Sequence, residues 1–167
     1  MSTVSQQLSS SLVRELALEC GFHLAGVTVS GPSPDFGRYR SWVNRGLAGE
    51  MGYLTDRRAD VRSDAANLLP GARSVISVGL IYNTSDLHST ELSDPERVWI
   101  GRYAWGEDYH NVLRARLRLL ADKLLKYQQF SWREFVDTAP LLERSIARQA
   151  GLGWIGRNTC LINQQLG

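Results

Sequence analysis

Lysine is nearly absent from this chain. Lys123 and Lys126 are its two lysines, and every other cationic side chain apart from three histidines is arginine. Cysteine and methionine stand at two residues each. Each shortage excludes something. Cys20 and Cys160 have no second cysteine at ligand spacing, so the sequence carries no zinc or iron–sulfur motif. In a chain of this size they predict two buried thiols rather than a disulfide. No run of about 18 apolar residues occurs, so no helix is expected to span a membrane. The opening stretch, MSTVSQQLSSSLVREL, lacks a basic region followed by an apolar one, so it does not read as a secretory signal. A cytoplasmic, monomeric protein is the expectation.

What is present describes one ordinary domain. The 167 residues are 43% hydrophobic and 22% charged, with a formal net charge of +2. That length suffices for a real core. The arginines suit phosphate or carboxylate, because guanidinium is a planar fork. Genomic base composition explains them equally well, and a balanced charge does not demand a nucleic-acid surface.

Along the chain, residues 5–20 read as an amphipathic helix, with Leu8, Leu12, Val13, Leu16 and Ala17 as its stripe and Gly21 as its cap. LAGVTVS (24–30) reads as a strand, GPSP (31–34) as a turn and 35–46 as a short helix. SVISVGLIY (74–82) is β-branched, mostly apolar and bounded by turns, which predicts a strand in the middle of a sheet. Residues 83–97 are a polar loop and the expected mobile segment. The longest helix is expected over 106–128, with Leu113, Leu117, Leu120 and Leu124 on its packing face and Arg114, Arg116 and Arg118 elsewhere. WREFVD (132–137) reads as a strand, 139–151 as a helix with Pro140 in its first turn, and NTCLIN (158–163) as a strand. The expected class is α/β (α+β): a central mixed sheet flanked by helices.

Gly151-Leu-Gly153-Trp-Ile-Gly156 fits the G-x-G-x-x-G dinucleotide fingerprint by letter. The fingerprint works only after a strand and at a helix N-terminus, where phosphate meets free N–H groups. Here the pattern follows a helix and precedes a strand. We therefore reject a nicotinamide site and read the glycines as a tight helix-to-strand connection, or as room for a flat ligand.

Four stretches together resemble one family. They are ANLLPGARSVISVGLIY (66–82), GRYAWGEDYHNVLRARL (101–117), FVDTAPLLERSIARQAGLGWIGRNT (135–159) and, more weakly, MGYLTDRRADVRSD (51–64). The chain resembles the N-terminal, cobalamin-binding part of epoxyqueuosine reductase over nearly its whole length. The resemblance implies one cobalamin-binding domain over 1–167, of nitroreductase-like architecture, followed in the family by a ferredoxin-like region that binds 4Fe-4S clusters and is absent from this chain. It implies reduction of the epoxide of epoxyqueuosine, at the wobble position of tRNA, with an electron donor as a further partner. The fragment alone is expected to be inactive. Three positions depart from the family's pattern: Ala65 stands for proline, Arg157 for lysine, and Cys160 for an aliphatic residue, read as a core substitution.

By that resemblance Asp137 is the general acid, since opening an epoxide requires a proton on the departing oxygen. From the residues alone, Asp137 or Thr138 reads first as a helix N-cap, and the resemblance reverses that order. The resemblance places Arg144, Tyr103 and His110 at the substrate. Their plainer readings are an ion pair with Glu143, a core tyrosine and a surface histidine; Asp108 reads as an N-cap and Glu143 as a charge at a helix N-terminus. Gly151, Gly153, Trp154, Gly156, Arg157 and Asn158 would form the corrin-facing turn, or a plain helix stop packed by Trp154. A non-catalytic corrinoid carrier, a small-molecule iron–sulfur reductase of dehalogenase type and a flavin-binding reductase remain the competing readings.

Overall fold

The computed structural model describes residues 8–83, 85–86, 88–91 and 94–166. The first three residues of the helix expected over 5–20 lie outside these, as do four positions of the loop expected over 83–97. Residues 89–91 of that loop form one 3-10 turn.

Helix α1 is Ser10–Glu19. Ser9 caps it: its hydroxyl accepts from the Leu12 N–H at 3.1 Å. Gly21 ends it with φ 84, and the Phe22 N–H reaches back to the Ala17 carbonyl at 3.1 Å. A glycine in the left-handed region with that six-residue closure is a Schellman stop. Strand β1, Leu24–Val29, follows directly. Helix α2 is Phe36–Asn44 and the single turn α3 is Arg58–Val61. Strand β2 is Ser74–Gly79 and helix α4 is Tyr109–Leu125. Helix α5 is Glu143–Gln149, and two short strands, β3 (Trp154–Ile155) and β4 (Leu161–Ile162), close the fold.

Helix and strand are mixed as expected, but the sheet differs from the expectation. β1 and β2 form a two-stranded antiparallel ladder, and β3 and β4 form another. Among the described residues no mixed sheet gathers them, and β2 has a strand on one side alone. Apolar β-branched composition signals burial on both faces, and here helices supply that burial. Residues alternate across the ladder. Ala25 and Val27 sit opposite Val78 and Ile76, and all four pack against the core of Val13, Leu16, Ala17, Phe22, Leu120 and Leu124 on α1, α4 and the link between α1 and β1. The other face takes α5. There Gly26 lies so close to the end of α5 that a Cβ on it would sit 2.2 Å from the Ala150 carbonyl oxygen.

Two expected elements differ from the reading: one strand is absent and one helix is shorter. Residues 132–137, expected as a strand, carry no strand and end in a bend at 136–137, and the helix expected from 139 begins at Glu143. Pro140 therefore precedes the helix. Its fixed φ favours the tight turn in which the Leu141 N–H meets the Ala139 carbonyl at 2.8 Å. Cys20 is buried, as expected, but Cys160 is exposed, which corrects its reading as a core residue; both thiols are free. No helix among the described residues is long and apolar enough to cross a membrane.

Two substitutions test this packing. Leu124→Ala, at a fully buried position, is expected to lower unfolding free energy by about 2–5 kcal/mol in denaturant titration. Gly26→Ala is expected to lower it and to lift α5 off the ladder, read as faster amide exchange at Ile146 and Ala150, because the new methyl occupies the place of the Ala150 carbonyl.

Candidate active site

Three segments converge on Asp137: the N-terminus of α4, the loop before α5, and the first turn of α5. Each is placed by a local cause. Asp108 caps α4, its carboxylate accepting from the His110 N–H at 2.9 Å. The same oxygen lies 2.9 Å from His110 Nδ1. These bonds hold the Asp108 carboxyl below the usual carboxylate range, the backbone bond being the larger cause. Its expected role as a cap is met, and His110 is a half-buried partner of that cap.

Asp137 is not a helix cap. It is the centre of a three-residue turn in which the Thr138 N–H meets the Val136 carbonyl at 2.6 Å. Its φ is 55, in the left-handed region, which for a non-glycine residue is uncommon and costs on the order of 1–3 kcal/mol. The N-cap position of α5 is held by Leu142, with no side-chain bond. The turn presents Asp137 to solvent, with Val136 buried beneath it as the anchor. Asp137 Oδ2 accepts from the Tyr109 hydroxyl at 2.5 Å. That bond is the main reason the Tyr109 phenol is pushed up to about 12.

Tyr109 is also the hub of an aromatic row. His110 stacks on it at 4.1 Å, Tyr103 meets it edge-on at 6.4 Å, and Tyr82 meets Tyr103 edge-on at 6.3 Å. Tyr103 is 57% exposed, so it lines a surface rather than a core. Beside it, Trp99 and Trp105 pack together at 5.3 Å, the Trp105 indole N–H donating to the Ile100 carbonyl. Val98 and Ile100 in the same segment are exposed as well.

Glu143 opens α5 and lies against Asp137. Burial, and then the nearby Asp137 charge, push its carboxyl up to about 7. Arg144 does not pair with Glu143. It donates to the carbonyl and, at 2.9 Å, to the hydroxyl of Thr159, tying α5 to the β3–β4 hairpin. On the far side of α5, Asp35 accepts from Ser145 at 2.6 Å and Arg148 at 2.9 Å.

The glycine run forms that hairpin. Gly151 has φ 78 and stops α5 in a second Schellman turn, with the Leu152 N–H on the Ala147 carbonyl at 3.0 Å. Gly153 has no room for a side chain, since a Cβ would lie 2.1 Å from the Ile162 carbonyl oxygen. Gly156 accepts the tight turn closed by Thr159, at φ 65. The Asn158 side chain accepts from the Cys160 N–H at 3.1 Å. The glycines thus satisfy the hairpin's own backbone. Trp154 is 49% exposed beside the exposed Arg157. The structure therefore brings Asp137, Tyr103 and His110 together through Tyr109. It gathers Arg144, Asn158 and the glycines in a second group, on α5 and the hairpin. Sequence reasoning gave Tyr109 no role and read Glu143 as a helix-end charge or a partner of Arg144. The sole signal for Tyr109 was its place between Asp108 and His110.

The family model described as Epoxyqueuosine reductase QueG, DUF1730 matches residues 62–138. The epoxyqueuosine reductase of Xanthomonas campestris pv. campestris is 42% identical over 161 residues, which are 93% of this chain and 44% of that protein. The structure of epoxyqueuosine reductase from Streptococcus thermophilus matches with a TM-score of 0.76 at 27% identity, over 94% of this chain and 42% of the other. An epoxyqueuosine reductase crystallised with a tRNA-Tyr epoxyqueuosine-modified stem loop matches with a TM-score of 0.72 at 26% identity, over the same shares. In sequence and fold this chain is similar to the epoxyqueuosine reductases, and it spans less than half the length of these proteins.

The carboxyl of Glu143 has a direct consequence for stability. Its folded value, about 7, lies above its ordinary value of 4.5, so the folded state holds the proton more firmly. The stability this represents is complete below about pH 4.5 and is lost as pH rises through 7. We expect unfolding free energy to fall by on the order of 1–3 kcal/mol between pH 4.5 and 8, and Glu143→Gln to remove most of that fall.

Proposed function

We propose that this chain is the N-terminal cobalamin-binding domain, residues 1–167, of a tRNA epoxyqueuosine reductase. Asp137 carries the proposal: a carboxyl on a strained turn, exposed toward an aromatic surface and steered by a phenol. It would protonate the departing epoxide oxygen as the ring opens. Tyr109 orients it, and His110, held by Asp108, and Tyr103 border the place where the modified nucleoside would lie. Arg144 and Arg157 would face substrate or corrin edge from the hairpin side. The stem-loop complex of a relative supports tRNA as the partner of this one.

A corrin is broad and flat with an amide-fringed edge. The exposed apolar surface of Tyr82, Tyr103, Val98 and Ile100 fits such a ligand, with Gly151, Gly153, Trp154, Gly156, Arg157 and Asn158 as the proposed second wall. Bound there, cobalamin would supply the low-valent cobalt chemistry of the reduction. The 4Fe-4S clusters do not fit this chain's residues: it has two cysteines, one buried and one exposed, and among the described residues no three potential ligands gather. We place the clusters, and the docking of an electron donor, in a ferredoxin-like region beyond these residues. The fragment would then bind cofactor but not turn over. We further propose a cytoplasmic monomer, whose β1–β2 ladder is one part of a nitroreductase-like mixed sheet.

The test is an anaerobic titration of the 167-residue protein with cob(II)alamin, followed by absorbance and EPR. Saturable binding with a base-off spectrum is expected. No spectral change, from this chain and from its full reading frame alike, overturns the reading. In the full reading frame, Asp137→Asn is expected to slow epoxide reduction by about 100-fold or more while leaving cobalamin binding intact.

A further inference from the structure

Strand β2 ends at Gly79, and the chain continues through Leu80 and Ile81 to Tyr82, the first ring of the aromatic row. The ladder gives this segment no backbone partner. Its last rung is the His23 N–H on the Gly79 carbonyl at 2.9 Å. Before His23 the opposite chain is still leaving the stop of α1. There the Phe22 N–H reaches back to the Ala17 carbonyl, and the Gly21 carbonyl accepts from Arg116 at 2.5 Å. A side chain takes over where the backbone leaves off: the Ile81 N–H donates to Nδ1 of His23 at 2.9 Å. Among the described residues this is the one hydrogen bond on 81–83.

The direction of that bond fixes the state of the ring. An imidazole nitrogen that accepts carries no hydrogen, so His23 is neutral with its proton on Nε2. The bond joins segments 58 positions apart and holds Ile81 against the start of β1. Tyr82 is the next residue and is 62% exposed, so burial does little to place it. Its ring meets Tyr103 edge-on at 6.3 Å, Tyr103 meets Tyr109 at 6.4 Å, and Tyr109 donates to Asp137 at 2.5 Å. Direct contacts and one covalent step thus run from His23 to the candidate acid. Edge-on pairs depend on where the rings stand, so a displacement of Ile81 is passed along the row.

We propose that His23 is a positioning residue. Its unprotonated Nδ1 fixes Ile81 and thereby sets where Tyr82 joins the row that borders Asp137. That the row borders a substrate rests on the function proposed above. The tie itself requires neither cofactor nor RNA, so the two can fail separately.

The test is 15N NMR of the 167-residue protein at mildly alkaline pH, without cofactor or RNA, for the wild type, His23→Ala and His23→Asn. In the wild type a scalar coupling across the hydrogen bond is expected between the Ile81 nitrogen and His23 Nδ1, with Nδ1 at the shift of an unprotonated ring nitrogen. His23→Ala should speed amide exchange at Ile81 by about 5-fold or more and move the ring resonances of Tyr82 and Tyr103. His23→Asn should keep both near their wild-type values, because its Oδ1 stands as many bonds from Cα as Nδ1 does and accepts in its place. A proton on Nδ1, or no coupling, in the wild type overturns the proposal, and that measurement decides even where His23→Ala does not fold. Unmoved Tyr82 and Tyr103 resonances in a folded His23→Ala overturn it as well, as does His23→Asn behaving like His23→Ala.

Discussion

Helix α5 reaches the β1–β2 ladder because Gly26 has no side chain. The Ala150 carbonyl occupies the place a Cβ would take, and much else follows from that contact. It sets the height of α5 over the ladder. It thereby fixes where Glu143 begins the helix, where Arg144 reaches the hairpin, and where the chain must turn back at Gly151. The polar bonds of Asp35 to Ser145 and Arg148 hold the same helix from its other side. Close backbone approach and a carboxylate clamp together make a seven-residue helix, too short to persist alone, into a rigid platform.

The site is assembled from helix ends and turns, not from the interior of regular elements. Asp108 and His110 belong to the first turn of α4, Glu143 to the first turn of α5, and Asp137 to a turn between them. Strain is concentrated at Asp137, whose left-handed backbone is held by the buried Val136 on one side and the Tyr109 bond on the other. Unfavourable backbone geometry persists only where the surroundings over-determine it. Here a phenol bond to the same residue's side chain is part of that determination, so the orientation of the carboxylate and the conformation of its backbone are coupled.

Much of the fold was legible in one dimension. The stripe of Leu12, Leu16 and Ala17 and the Leu113–Leu124 repeat predicted helices whose apolar faces do meet in the core, because helical periodicity is a local property. Gly21 and Asp108 act at helix ends by side-chain chemistry and φ alone, which also need no distant partner, whereas Ser9 caps a helix that was expected to start at residue 5. Other readings failed for non-local reasons. WREFVD has strand composition but finds no ladder, and whether an extended segment pairs depends on what lies beside it. Pro140 was placed inside a helix where it precedes one. Cys160 was read as core, although the hairpin carrying it leaves it at the surface.

The amino-acid sequence by itself determined the helices, the caps, the glycine stops and the kinship with epoxyqueuosine reductases, all properties of residues near one another in the chain or of their order. Only the tertiary structure decided that Tyr109 bonds Asp137 across 28 positions, that Glu143 lies half-buried beside it, and that Arg144 turns to Thr159 instead. Those choices depend on which segments meet at the start of α5. Burial and proximity, the quantities that set the charge of a carboxyl, exist only once they have met.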